Sequence, residues 1–156
     1  MAEEKVPLKD AATFLLDECR MVLPGIQALF GFQLIAVFNQ RFSELSSQAQ
    51  LLHLTSIGFV TLSIALVMAP AAYDRIAERG WASRHFITLT SQLLSWGMAM
   101  LMAGLTLEIA LITRMVMDSI ALGIVVALAV LTLLGSLWFV LPIRHREHHR
   151  PPLRTG

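Results

Sequence analysis

Four long stretches without formal charge decide most of what this chain can fold into. Residues 21–40, 45–73, 86–107 and 119–143 contain no Asp, Glu, Lys or Arg. A hydrocarbon core about 30 Å thick is crossed by roughly 20 helical residues, and each stretch reaches that length. The sequence therefore predicts an all-α integral membrane protein that crosses the bilayer four times.

The predicted spans leave little chain outside the membrane. We place them at about 21–41, 47–73, 85–112 and 119–142, within a four-helix bundle domain of residues 21–143. Residues 1–20 are predicted to form a cytoplasmic amphipathic segment that leads into the first span, and residues 144–156 a disordered basic tail. Only 15% of the residues are charged, against about 25% in soluble proteins. No part of the chain is long enough to form a separate soluble domain, which disfavours an enzyme.

The basic residues are distributed asymmetrically about the spans. Arg41 and Arg114 fall in the two loops on one side, and the other ten of the twelve basic residues fall on the opposite side: Lys5, Lys9, Arg20, Arg75, Arg79, Arg84, Arg144, Arg146, Arg150 and Arg154. Positive charge is retained in the cytoplasm. Both termini are therefore predicted to be cytoplasmic.

The third span carries two lines of small or polar residues. One line follows alternating spacings of four and three: Thr88, Gln92, Ser95, Ala99, Met102, Thr106, Ile109 and Thr113. A second line, on roughly the opposite side, contains Thr90, Gly97, Gly104 and Glu108. Small residues let helices approach closely in lipid. Two such faces indicate neighbours on both sides, through oligomer contacts, internal packing or a water-filled path.

The first two spans carry polar residues at helix-packing positions. Ser56, Ser63 and Pro70 repeat every seven residues. The polar residues of the first span are expected to make interhelical hydrogen bonds: Gln27, Gln33, Asn39 and Gln40. A second row of small residues, Thr61, Ala65 and Ala69, also indicates packing. His53, near the predicted outer interface, is either a wetted histidine or a pH sensor.

Glu108 is the one acid that could lie inside the membrane. An acid within a span indicates a functional site by default, but the charge-free run before Glu108 is long enough to leave it at the outer headgroups. Both placements remain open. The candidates for an ion path are Glu108, Gln92, Ser95, Thr88, Thr106 and His53.

Motifs for other chemistry are not found in the sequence. There is no Gly-rich phosphate loop, no nucleophile elbow, no zinc-ligand pair on a helix and no histidine pair placed for haem. We therefore predict no catalytic residue, no metal and no cofactor. Since the basic residues follow the topology, nucleic acid is not predicted as a partner.

Short motifs in the first half of the chain carry a family resemblance. They are Asp17-Glu18-x-Arg20, Pro24-Gly25-x-Gln27-x-Leu29-Phe30-Gly31-Phe32, Phe42 with Leu45, and Ala69-Pro70-Ala71-Ala72-Tyr73-Asp74-Arg75. The chain resembles an uncharacterised family of small bacterial four-span membrane proteins, sometimes labelled sodium:proton antiporters. The resemblance supports the four-span architecture. Many members carry histidine where this chain has Asp74, so a proton role at that position does not follow.

The shared motifs also predict a charge cluster at the inner interface. Glu18 and Arg20 begin the first span, and Asp74 and Arg75 end the second. Antiparallel spans bring these ends to the same membrane face, where the four groups are predicted to tie the two spans together.

Two functions remain open from the sequence. The leading hypothesis is a channel or transporter for a monovalent cation or proton, formed by an oligomer because four helices hardly enclose a pore. The alternative is a non-catalytic accessory or scaffold subunit of a larger membrane complex. Both predict the lipid bilayer and other membrane subunits as partners.

Overall fold

The computed structural model describes residues 7–78 and 83–148, without the side chains of residues 41, 78 and 145–148. The first six residues of the predicted N-terminal segment, residues 79–82 of the middle loop and residues 149–156 of the predicted tail lie outside this range. Every element in the described part is helical, which confirms the all-α class.

Six α-helices follow one another in the described part of the chain. They are α1 (Leu8–Val37), α2 (Gln40–Ser43), α3 (Ser47–Tyr73), α4 (Arg84–Met117), α5 (Ile120–Gly135) and α6 (Leu141–His148). Two short π-helical segments extend this set: Asp74–Glu78 continues α3, and Ser136–Val140 joins α5 to α6. α6 reaches His148, so the described first part of the predicted basic tail is helical.

Four helical segments in the described chain are long and apolar enough to cross a membrane. They are Leu8–Val37, Ser47–Ala77, Arg84–Met117 and Ile120–Arg144. The four predicted spans fall on these segments. α1 begins well before residue 21 and passes through Pro24 without a break, so the helix itself shows no boundary between the predicted N-terminal segment and the first span.

Local sequence explains where several helices begin. The Ser46 hydroxyl accepts a hydrogen bond from the Ala49 amide at the start of α3, and Ser119 accepts one from Leu122 at the start of α5. Ser83 caps α4 in the same way through the Phe86 amide. Such caps satisfy amides that have no partner inside the helix. Asp118, between α4 and α5, adopts the left-handed conformation (φ 47°) that often ends a helix.

The chain divides into two compact units, residues up to Leu105 and residues from Thr106 onward. In the first unit, α1 buries one residue in every seven: Ala12, Cys19, Ile26 and Gln33. α3 buries a stripe with spacings of three and four: Ala49, His53, Ser56, Val60, Ser63, Val67 and Pro70. This seven-residue repeat is typical of helices that pack along their length at a small crossing angle.

In the second unit, α5 comes close to the last turns of α4 at Gly123. A Cβ atom at Gly123 of α5 would lie 3.0 Å from the Ala110 carbonyl oxygen and 3.4 Å from the Arg114 Cβ, both on the last turns of α4. Gly123 is also the one buried residue of α5 in the described chain. The rest of α5 carries exposed large apolar side chains.

Candidate functional site

A repeating contact joins α3 and α4 in the first unit. The Ser56 hydroxyl donates to the Gly104 carbonyl oxygen at 2.9 Å, and the Ser63 hydroxyl donates to the Gly97 carbonyl oxygen at 2.8 Å. Both serines are fully buried. We call these four residues the serine–glycine seam. Hydroxyl-to-carbonyl bonds between helices are possible only where the two backbones lie very close.

The glycines of the seam make this approach possible. A Cβ atom at Gly104 would lie 2.9 Å from the Val60 Cγ2 and 3.2 Å from the Ser56 carbonyl oxygen. At Gly97 it would lie 2.9 Å from the Val67 Cγ2. The sequence prediction that Ser56 and Ser63 are packing residues is confirmed. Of the two lines on the third span, the one that contains Gly97 and Gly104 packs inside the chain.

The seven-residue spacing of the serine–glycine seam continues to a third pair of positions, where the residues are different. Seven residues beyond Ser63 lies Pro70, and seven residues before Gly97 lies Thr90, and both are fully buried. Within the described chain the Thr90 hydroxyl has no hydrogen-bond partner. Tyr73 and Phe86 stack at 5.8 Å between ring centroids beside this step. Near the end of α3 and the start of α4, the contact between the two helices is thus mainly apolar and aromatic.

A cluster of polar side chains joins α1 to α3 near the start of α3. The Gln33 amide nitrogen donates to the Ser56 hydroxyl at 2.8 Å, and the His53 Nε2 lies 3.1 Å from the Gln33 carbonyl oxygen. Since a carbonyl can only accept, Nε2 carries a proton in this contact. The His53 ring also meets the Phe42 ring edge-on at 5.4 Å. Gln33 makes the interhelical hydrogen bond predicted for the polar residues of the first span. Gln27, for which the same bond was predicted, is exposed instead.

His53 does not have the wetted position that was one of the two expectations for it, and the pH-sensor role stays a prediction. Its side chain is 2% exposed, so it is not a wetted histidine at the interface in this chain. It lies on the second turn of α3, between α1 and the loop that carries Phe42. Its role as an ion-path residue stays a prediction, and any such path would have to reach a buried side chain.

The other predicted line on α4, which begins at Thr88, lies on the protein surface in the first turns of the helix. Thr88, Ser91, Gln92 and Ser95 are exposed, and Trp96 is 61% exposed. We call these five residues the α4 polar face. The Thr88 and Ser95 hydroxyls donate to carbonyls one turn earlier in α4. Gln92 and Trp96 make no hydrogen bond to another described residue.

The two remaining ion-path candidates lie in the second unit. Thr106 is buried and Glu108 is half-buried. Each has an interaction partner. The depth of Glu108 relative to the lipid headgroups stays a prediction.

The predicted inner charge cluster is brought together in part. Arg20, Asp74 and Arg75 line one cleft between α1 and the end of α3, with a volume of about 670 Å³. Arg20 donates to Asp17 of its own helix at 3.2 Å, and no ion pair joins α1 to α3 in the described residues. Glu18 is exposed and does not line the cleft. A tie between the spans through charge pairs therefore stays a prediction.

Some features of the site had no clear signal in the sequence. Ser91 and Trp96 belong to the α4 polar face, although the alternating four-and-three pattern passes over both. The cleft was missed because its floor includes Ala65 and Ala69, whose small side chains indicate close helix packing by default. In the described chain no three His, Cys, Asp or Glu side chains are grouped to hold a metal ion.

The helical architecture and the short motifs agree with one family of proteins. The profile of a family of unknown function, DUF6328, matches residues 9–142. The chain belongs to this family, which confirms the resemblance to an uncharacterised family. No curated protein and no solved structure is similar to the chain.

Proposed function

We propose that this chain is a non-catalytic membrane subunit that works as a homo-oligomer, with its copies joined along the α4 polar face. The observation that carries the proposal is the α4 polar face itself, where the exposed carboxamide of Gln92 lies within a candidate span beside the exposed Trp96 ring and small hydroxyl residues. An amide in hydrocarbon is costly unless it is hydrogen-bonded.

The depth of the α4 polar face supports a contact with protein. If Arg84 lies at the headgroups, then Thr88 to Trp96 lie about 6 to 18 Å farther along the helix axis. Trp side chains in membrane proteins favour the interface, where the indole N–H is hydrated. Trp96 is exposed near the middle of a span instead, and a large exposed aromatic ring beside polar groups is typical of a protein contact.

A second copy of the chain is the partner that the chemistry of this face favours. A carboxamide both donates and accepts hydrogen bonds, so Gln92 in two copies related by a two-fold axis can pair with itself. The flanking serines and Thr88 are small enough to let two α4 helices approach each other. The face is therefore complementary to itself.

The asymmetric distribution of basic residues supports one orientation of the chain in the membrane. We place both termini in the cytoplasm, and the protein in the inner membrane of a bacterium, since ten of twelve basic residues lie on that side of the four spans. The contact between copies then lies nearer to the cytoplasmic half of the bilayer.

The substitution Gln92→Leu is expected to weaken association of the copies by about 1 kcal/mol, or roughly fivefold. Leucine keeps the size of the side chain and removes its hydrogen bonds. Energy transfer between donor- and acceptor-labelled copies in liposomes, at increasing lipid-to-protein ratio, measures the association. Gln27→Leu is the matched control, because Gln27 is also exposed within a span but lies on α1. Equal association of the wild type and both variants would contradict the proposal.

Ion movement is the second candidate function. Two observations favour it: His53 is buried inside a candidate span with Gln33 and Ser56 beside it, and Glu108 is half-buried on α4. Ionisable groups within spans often mark ion or proton paths. In this case the oligomer carries a monovalent cation or proton along a path lined in part by α4.

Flux measurements separate the two functions. Proteoliposomes with the wild type and with Glu108→Gln are compared for proton, sodium and potassium flux. A transporter is expected to give flux above that of empty liposomes, and loss of the flux in the variant would place Glu108 on the path. If the folded protein gives no flux for any of the three ions, ion movement is excluded and the subunit role is the function that remains. A monomeric protein that co-purifies with a larger complex would replace the homo-oligomer with that complex.

A further inference from the structure

The cleft between α1 and α3 combines an apolar interior with charges at one end. Its walls include Leu23, Ala65 and Met68, and its charged end includes Arg20, Asp74 and Arg75. Asp74 and Arg75 directly follow α3, and Arg20 lies one turn before Leu23 in α1. A volume of about 670 Å³ falls within the range of small-molecule sites, roughly 300–1,000 Å³.

The end of α3 brings two consecutive charges to the cleft. Asp74 and Arg75 both line this space, as do consecutive residues of α3 such as Met68 and Ala69. Asp74 and Arg75 begin the π-helical segment Asp74–Glu78, where the chain departs from regular α-helix. Such segments are frequent at functional sites. Among the described residues, neither Asp74 nor Arg75 makes an ion pair.

The charges of the cleft balance one another. Arg20 and Arg75 are positive, whereas Asp74 and Asp17, the partner of Arg20, are negative. An anionic headgroup would therefore gain little net attraction. A headgroup with both a phosphate and a primary ammonium group matches the site, because guanidinium groups bind phosphate oxygens and a carboxylate accepts from an ammonium.

We infer that this cleft binds a phospholipid with a primary ammonium headgroup, of the phosphatidylethanolamine class. Arg75 contacts the phosphate, Asp74 accepts hydrogen bonds from the ammonium, and one acyl chain lies along the apolar wall beside Ala65 and Met68. Ala65 is exposed, and its small side chain leaves room for that acyl chain. This inference concerns α1 and α3 and does not depend on the α4 polar face.

The test is lipid binding to the delipidated full-length protein in detergent, followed by native mass spectrometry. Phosphatidylethanolamine, phosphatidylcholine and phosphatidylglycerol with identical acyl chains are compared. Phosphatidylethanolamine is expected to bind about tenfold more tightly than phosphatidylcholine, whose quaternary ammonium has no N–H to donate; tenfold corresponds to about 1.4 kcal/mol. Equal binding of the three lipids, or preference for phosphatidylglycerol, overturns the inference. This comparison needs only the wild type.

Substitutions then locate the site. Asp74→Asn is expected to lower phosphatidylethanolamine binding to the level of phosphatidylcholine, and Arg75→Gln to weaken both lipids. Glu44→Gln is the matched control, since Glu44 is an exposed carboxylate that precedes α3 whereas Asp74 follows it. Retained preference for phosphatidylethanolamine in a folded Asp74→Asn variant overturns the assignment of the ammonium to this cleft.

Discussion

Replacement of Gly104 by valine is expected to destabilise the first unit by about 3 kcal/mol, at the upper end of the usual cost of overpacking. The added Cβ would lie 3.2 Å from the Ser56 carbonyl oxygen, a backbone atom, and 2.9 Å from the Val60 Cγ2. Separation of α3 from α4 would also lengthen the hydrogen bond from Ser56 to the Gly104 carbonyl. The midpoint of unfolding in mixed detergent and SDS micelles measures the loss.

Gly58 offers a control for this substitution. It lies on α3, and a Cβ atom there would meet nothing within 4 Å. Gly58→Val is therefore expected to change stability little, since removal of a glycine slightly favours a helix. If the two variants unfold at the same midpoint, then close approach at the serine–glycine seam does not hold α3 and α4 together.

The second large effect is expected at Gly123. In Gly123→Val the Cβ would lie 3.0 Å from the Ala110 carbonyl oxygen, and the backbone of α4 cannot yield as a flexible side chain could. We expect α5 to lose its contact with the last turns of α4, at a cost of about 2–3 kcal/mol. Hydrogen exchange of the α5 amides is expected to accelerate, and exchange within α1 and α3 to stay unchanged.

Gly31 provides the matched control for Gly123. It lies on α1, where an added Cβ atom would have no neighbour within 4 Å, so Gly31→Val is expected to leave α5 exchange as in the wild type. Unchanged exchange in α5 of the Gly123→Val variant would show that this glycine is not what joins α5 to α4.

The spans were predictable because the physical rule behind them is simple. Charge-free runs of sufficient length have few alternatives to a helix in lipid, and the segment predicted at 47–73 coincides with α3. Seven-residue spacing also predicted that Ser56 and Ser63 face a neighbouring helix. These properties depend on residues near one another in the sequence.

The choice between the two faces of α4 was not predictable in the same way. Both faces carry small residues, so composition alone does not say which one meets α3. The structure favours Gly97 and Gly104 because serine hydroxyls on α3 stand opposite their carbonyls. This match depends on the register between helices, which no local pattern specifies.

The cleft was missed for a related reason. Ala65 belongs to a row that favours packing, but it lies exposed beside the cleft. The stripe that α1 presents to α3 passes through Cys19 and Ile26, and the alanine row lies to one side of it. The π-helical turn at Asp74 likewise has no sequence signal that we recognise.

Disulfide cross-linking between copies tests the central claim most directly. Single cysteines are placed at Ser91 or Ser95 on the α4 polar face, and at Thr61, an exposed α3 position, in a Cys19→Ala background. Oxidation in native-like membranes is expected to give covalent dimers for Ser91→Cys and Ser95→Cys, and none for Thr61→Cys. Dimers from Thr61→Cys alone, or from none of the three, would contradict assembly through α4.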